Sequence, residues 1–530
     1  MTEQLNSINK QNPILLTTAI SYTNGKPHIG HLYESVLADF IKNVFIILDH
    51  PIKLLTGTDE HGKKIQETAL LENTEPITIC NKYSSAFKLM NDTIGISYDH
   101  FIRTTDLEHK KLVTDSINHS QTISDDIYLS NYEGWYDIKE ETYISEIDAK
   151  LNNYINPITN KSYERIKEET YMFKLKKYED LIRQLLVENK NWIVPNSYAT
   201  EPINRIWPNS TDILFSTTDT SDRIDTTDGL IDISITRTTF DWGIKFPSDK
   251  KHIIYVWFDA LLNYITGRNI LNLNGGDENL ETYHLIGKDI VWFHAVIYPA
   301  ILKSIGEPLP NSILVHGFVL DQNGRKMSKS LGNVVDVEWL SKTYPIEAIR
   351  YYLINETVFG SDILFSTTNL TATYNNILLK NFGNLWQRMY NLLRPIESEL
   401  NKWISNNQLI VSNFKQNILQ EVSAFKNKFD FIEYRNIMYR LLDYANRELT
   451  EKKPWTLIDS NIETKISIFA DIFINFNCAC CLMYAIIPSK ILELVKYFNW
   501  TIEQLKLSNE KINFTYTSDE KKIIAFTKLD

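Results

Sequence analysis

The chain has 530 residues, 43% of them hydrophobic, with a formal net charge of -11 and four cysteines. That length suits two to four domains, and the charge excludes a surface coated in nucleic acid while leaving room for a local basic path. Four cysteines exclude a disulfide framework in a chain this size.

Residues 13–21, PILLTTAIS, form a short apolar, β-branched run that predicts a buried strand. After a loop, Leu32, Val36, Phe40 and Val44 recur every fourth residue, with Leu37, Ile41 and Leu48 beside them. That spacing predicts a helix burying one broad face. PIKLLTGTDEHG then predicts a second strand that breaks at Gly57 and Gly62. Strand, helix and strand make a βαβ unit, whose ligands sit beyond the strand ends.

From about residue 120 to 235, Tyr, Glu, Lys and Asn dominate, as expected for an inserted module. Strand-then-helix texture returns at HIIYVWFDALLNYI and YHLIGKDIVWFHAVIYPAIL, and SILVHGFVL predicts another buried strand. Beyond about residue 370 the apolar spacing is helical and predicts a bundle. Cys478, Cys480 and Cys481 crowd into a late apolar helix, where they cannot all face one metal; they and Cys80 are expected as buried thiols. No apolar run looks long enough to span a bilayer, and the first residues resemble neither a signal nor a transit peptide, so a cytoplasmic protein is expected.

The loop after the first strand, GKPHIGH (residues 25–31), carries the first chemistry. Gly25 and Gly30 have P-loop spacing, but His31 and Leu32 follow where Lys and Ser or Thr are required. His28 and His31 instead stand at the mouth of a helix, whose amides and dipole favour an anion. Two uses remain open at this point: a cradle for a polyphosphate, or a pair of helix caps. Far downstream, DQNGRKMSKSLGN (321–333) sets Lys326 and Lys329 on a glycine-flanked loop with Ser328 between them.

HIGH (His28–His31) together with KMSKS (Lys326–Ser330) resembles the paired signatures of class I aminoacyl-tRNA synthetases. YTNGKPHIGH, TGTDEHG, ISITRTTFDWGI, VWFDALLNY, GKDIVWFHAVIYPA and, near the end, KKPWTLI are similar in order to the methionine-specific branch, over nearly the whole chain. The resemblance implies an α/β fold: a Rossmann-type parallel-sheet catalytic domain with an inserted connective domain, followed by an α-helical anticodon-binding bundle. Its parts would be residues 1–120 and 236–310 (catalytic halves), 121–235 (insert), 311–370 (KMSKS and stem contacts) and 371–530 (bundle).

The implied reaction is attack of the methionine carboxylate on the α-phosphate of ATP, with Mg2+, followed by transfer to the terminal adenosine of tRNA(Met). Such chemistry rests on positioning and charge stabilisation. The resemblance assigns His28, His31, Lys326 and Lys329 to the phosphates, with Gly30, Gly287, Asp289 and Ser328 also at ATP. For methionine it points to Tyr22, Asp59, Trp257, Ala260, Leu261, Tyr264 and His294, aromatic rings suiting a polarizable thioether. Core packing is the alternative for those apolar positions. Asn384, Arg388 and Trp455 would meet the anticodon, although Trp455 after Pro454 also suits a helix-end anchor.

An insert of roughly a hundred residues is small for an editing module, of the kind needed where one methylene must be rejected. Asp137 stands where many members of the family carry a zinc-binding thiolate, and no cysteine lies between residues 81 and 477, so no metal is expected there. A monomer without a membrane partner is expected. Two rivals share parts of the pattern: nucleotidyltransferases with an HxGH loop, and a tRNA-binding paralogue that does not charge.

Overall fold

A computed structural model describes residues 12–137, 142–144, 146–157, 160–208, 229–273, 279–327, 331–457, 461–509, 511–516 and 524–529. Seven strands build one parallel sheet: β1 (Ile14–Thr18), β2 (Ser21–Tyr22), β3 (Ile52–Asp59), β4 (His100–Arg103), β5 (Ile193–Val194), β6 (Glu281–Gly287) and β7 (Ser312–His316). The spatial order is β2-β3-β1-β6-β7-β5, with β4 also on β3. β1 thus has β3 on one side and β6, which arrives more than 260 residues later, on the other. Connections leave this strand in opposite directions, which opens a crevice at its carboxyl end.

Alternation along the strands explains the layers. Leu16, Leu54, Leu285 and Leu314 join one core, whereas Leu15, Leu55, Ile286 and Ile313 join another. A sheet buried on both faces needs apolar residues at nearly every position, which is how β1, β6 and β7 read.

Helix α1 (Ile29–Ile47) covers the first face. Next in the chain come α2 (Pro76–Ile94) and α3 (Leu107–Thr122). The stretch expected as an insert begins with an antiparallel sheet of Ile127–Asp137, Thr142–Ile144 and Glu164–Phe173, on which Ile233–Ser234 closes. β5, although inside that stretch, is the edge strand of the catalytic sheet. Two short helices then follow in succession, α4 (Val256–Leu261) and α5 (Asn263–Ile270). Beyond β7 lie α6 (Val337–Thr343) and α7 (Ile346–Glu356), then the bundle with α8 (Asn384–Leu393), α9 (Phe431–Lys452) and α10 (Ile462–Ile486).

One sequence expectation needs correction. α10 is a continuous 25-residue helix whose most apolar 18-residue window has a mean hydropathy of 1.8, long and apolar enough to cross a bilayer by length and composition. Polar residues such as Asn475 and Asn477 broke the run to the eye. Within the fold, 83% of its most apolar window is buried, so α10 is the core of the bundle. Cys478, Cys480 and Cys481 sit there as buried free thiols, and Cys80 is buried in α2.

The bundle and the sheet share one apolar core. A buried polar staple fixes their angle: the Arg350 guanidinium on α7 bonds Asp39 on α1 and the Ile486 carbonyl at the end of α10. Breaking one partner of such a buried pair strands the other charge, typically at about 3–5 kcal/mol.

Candidate active site

The crevice begins at the HIGH loop. His28 caps α1: its Nδ1 accepts from the Gly30 amide at 3.1 Å, and His31 Nδ1 accepts from the His28 amide at 3.1 Å. The two rings stack with centroids 3.8 Å apart, and Phe87 of α2 meets His31 edge-on. Gly30 is required here, because a Cβ would lie 2.9 Å from His28 Cε1. The capping use is therefore real, and it also defines the chemistry. A neutral imidazole that accepts at Nδ1 carries its proton at Nε2. Burial, and then the neighbouring His28, hold the His31 pKa well below its usual value, so it stays neutral with an Nε2–H to donate.

The KMSKS side comes to the same place. Its descending arm returns through Asp336, which forms an isolated antiparallel bridge with His28 and then caps α6 by accepting from the Trp339 amide. Residues 28 and 336 are far apart in the chain and adjacent here. At the neck of the loop, Asp321 accepts from Arg325 and from Asn333 Nδ2, both at 2.9 Å, so its two arms are tied together. A cleft of about 510 Å³ opens beside them, lined by Met327, Val335, Asp336 and Trp339 among others. Lys326 lies 4.4 Å from the centroid of the Phe318 ring. Ser328 and Lys329 lie outside the described residues.

At the carboxyl ends of β6 and β7, Gly287 and Asp289 meet two residues that sequence inspection missed. A Cβ on Gly287 would approach Asp289 Oδ1 to 2.8 Å. His316 Nε2 bonds Glu34 of α1 at 2.9 Å, and Asp289 is close enough to act on both electrostatically. Burial alone would lower the His316 pKa, but the Glu34 bond and charge raise it. The available signal was Glu34 standing one helical turn after His31.

The aromatic candidates gather on the other side. Trp257 of α4 stacks on Phe293, with centroids 3.8 Å apart and planes 12° from parallel. Tyr264 of α5 lies 2.8 Å from His294 Nε2. The Ile290 carbonyl, an acceptor only, receives His294 Nδ1–H at 3.0 Å, so Nε2 accepts and the Tyr264 hydroxyl donates. Burial drops the His294 pKa to about 4. Tyr22 pairs in register with Asp59, and the Thr23 amide bonds the Asp59 carbonyl. Ala260 is buried, and Leu261 packs into the core beneath the sheet.

Metal-ligating atoms come together at Glu169, Asp249 and His252, among the described residues. His252 Nε2 stands 3.7 Å from Glu169 and 3.8 Å from Asp249. Asp137 is buried and accepts from Asn156.

In the bundle, Asn384 and Arg388 lie one helical turn apart on α8. The Arg388 guanidinium stands 5.7 Å from the Trp455 ring, which is 41% exposed beyond the end of α9. All three anticodon candidates thus come from the same side of the bundle, although Trp455 is 67 positions beyond Arg388 in the chain.

A family model for tRNA synthetases class I (M) matches residues 14–153 and 145–390. The chain belongs to that family. It is 37% identical over 453 residues to the methionine–tRNA ligase of Caldanaerobacter subterraneus subsp. tengcongensis, spanning 83% of this chain and 66% of that one. With the methionine–tRNA ligase of Rickettsia bellii it shares 32% identity over 521 residues, 96% of each. The structure of Mycobacterium tuberculosis methionyl-tRNA synthetase in complex with methionyl-adenylate matches with a TM-score of 0.80 at 28% identity, over 97% of this chain and all of that one. The Rossmann-type sheet with its helical bundle is the fold of this family.

Proposed function

We propose that this chain is a methionine–tRNA ligase, which activates L-methionine with ATP to methionyl-adenylate and passes the acyl group to the 3'-terminal adenosine of tRNA(Met). The supporting observation is the bridge between His28 and Asp336, which brings the HIGH and KMSKS segments to one crevice at the switch point of the sheet. His28 and His31 donate from Nε2 to phosphate oxygens as charge develops. Lys326 and Lys329 neutralise the departing pyrophosphate, and ATP enters as its Mg2+ complex. Gly30, Gly287, Asp289 and Ser328 complete the nucleotide site. Asp59 receives the substrate ammonium group, and Tyr22, Trp257, Ala260, Leu261, Tyr264 and His294 surround the side chain.

Asn384, Arg388 and Trp455 read the anticodon. Base stacking on one aromatic ring is worth about 1–3 kcal/mol. The enzyme acts as a cytoplasmic monomer, with the parts bounded as above and without a thiolate zinc in its insert. Methionine-dependent ATP–pyrophosphate exchange, followed by charging of tRNA(Met), tests the reading and separates it from both rivals. A nucleotidyltransferase would not respond to methionine, and a non-charging binder would show no exchange.

A further inference from the structure

Behind the methionine pocket lies a carboxylate with no place in the chemistry above. Asp259 is fully buried in α4, two residues after Trp257 and immediately before Ala260. Its Oδ2 lies 2.6 Å from His61 Nδ1 and its Oδ1 lies 2.7 Å from His109 Nε2. His61 closes the GTDEHG turn, two residues after Asp59. His109 is fully buried on α3, and its other ring nitrogen meets Thr266 Oγ1 of α5 at 2.9 Å. One carboxylate therefore ties together the turn after β3, helix α3 and the α4–α5 pair.

A buried carboxylate is unfavourable unless its oxygens are partnered, and apolar packing would fill the same space with no such penalty. What hydrogen bonds add is direction. Burial would raise the Asp259 pKa, but the His61 charge and the bonds from both imidazoles bring it down to about 2, so both oxygens accept. The turn itself is held firmly: Arg103 engages Glu60 with two bonds of 2.7 and 2.9 Å, and Trp242 Nε1 bonds the Glu60 carbonyl at 2.6 Å. The aromatic wall on α4 is thereby referenced to a fixed point beside Asp59.

We propose that Asp259, held by His61 and His109, is the positioning centre for methionine: it sets the distance between Asp59 at the ammonium end and the Trp257 wall at the thioether end. None of the three touches substrate. The proposal rests on the methionine-ligase reading. Absence of methionine-dependent exchange in the unmodified protein would defeat that reading, whereas failure of the proposal appears only in the variants below.

The test uses the full chain with His109→Leu, His109→Gln and Asp259→Asn, measuring KM for methionine and for ATP in pyrophosphate exchange alongside thermal melting. His109→Leu is expected to raise methionine KM by roughly 10- to 100-fold, the scale of an ångström of misplacement, with ATP KM changed by about twofold or less. His109→Gln, whose amide can donate to Asp259, is expected to recover most of that loss. Should His109→Leu not fold, Asp259→Asn reads the same ratio of the two KM values. Variants that melt earlier with methionine KM unchanged, or in which both KM values rise together, would overturn the positioning role.

Discussion

The two ends of the crevice proposed for catalysis, one for nucleotide and one for amino acid, are built on opposite principles. At the nucleotide end His28 is exposed, its ring shares in a helix cap, and the facing segment meets it through a single backbone bridge. At the amino-acid end, His294, His61, His109 and Tyr264 are buried and bonded through fixed ring nitrogens or hydroxyls. Chemistry accounts for the difference. A polyphosphate needs accessible donors and a loop that can close and release. An unbranched thioether offers little to hydrogen-bond, so selection depends on dry walls that do not give way.

The contrast breaks most severely at the open end. His31→Ala should lower adenylate formation by about two to three orders of magnitude, the usual loss for one donor to developing charge, while methionine KM changes little. Exchange assays read both, and an unchanged rate would remove His31 from the phosphate role.

A surface far from either end sharpens it next. Trp455→Ala should cut kcat/KM for tRNA charging by roughly tenfold or more, from about 1–3 kcal/mol of lost stacking, and leave pyrophosphate exchange alone. If the folded variant charges normally, Trp455 is a helix-end anchor and no more.

At the dry end, Trp257→Leu removes the stack on Phe293, for which about 0.5–1.5 kcal/mol beyond area is typical. Methionine KM should rise several-fold with ATP KM steady, as measured in the same assay. Equal shifts in both would place Trp257 in general packing.

The last effect is on stability rather than on activity. The folded pKa of His294, about 4, lies below its unfolded value near 6.5. The unfolded chain therefore binds the proton first, so this contribution is complete above pH 6.5 and is lost as pH falls towards 4. The slope from this one group is at most about 1.4 kcal/mol per pH unit. Denaturant midpoints from pH 7 to 5 should fall less steeply in His294→Gln than in the unmodified protein; parallel curves would mean that His294 is not buried neutral.

Much of the chain was legible before any coordinates. Apolar spacing of three and four announced α1, and β-branched runs announced β1 and β7, since both report on nearest neighbours. Asn384, Arg388 and Trp455 were named from a resemblance, and their proximity follows the bundle. Elsewhere local cues misled or stayed silent. Scattered polar residues hid the continuity of α10, and β5 looked like part of the insert because two apolar residues cannot announce which sheet they join.

By itself, the sequence announced most elements and the family, and it nominated the groups proposed to react, because periodicity and motif are properties of adjacent residues. Tertiary structure alone decided which of those groups share a site. Glu34 reaches His316 across 282 positions and His61 reaches Asp259 across 198. Those pairings depend on β1 lying between β3 and β6, an order set by how crossovers wind about a twisted sheet, which no local pattern encodes.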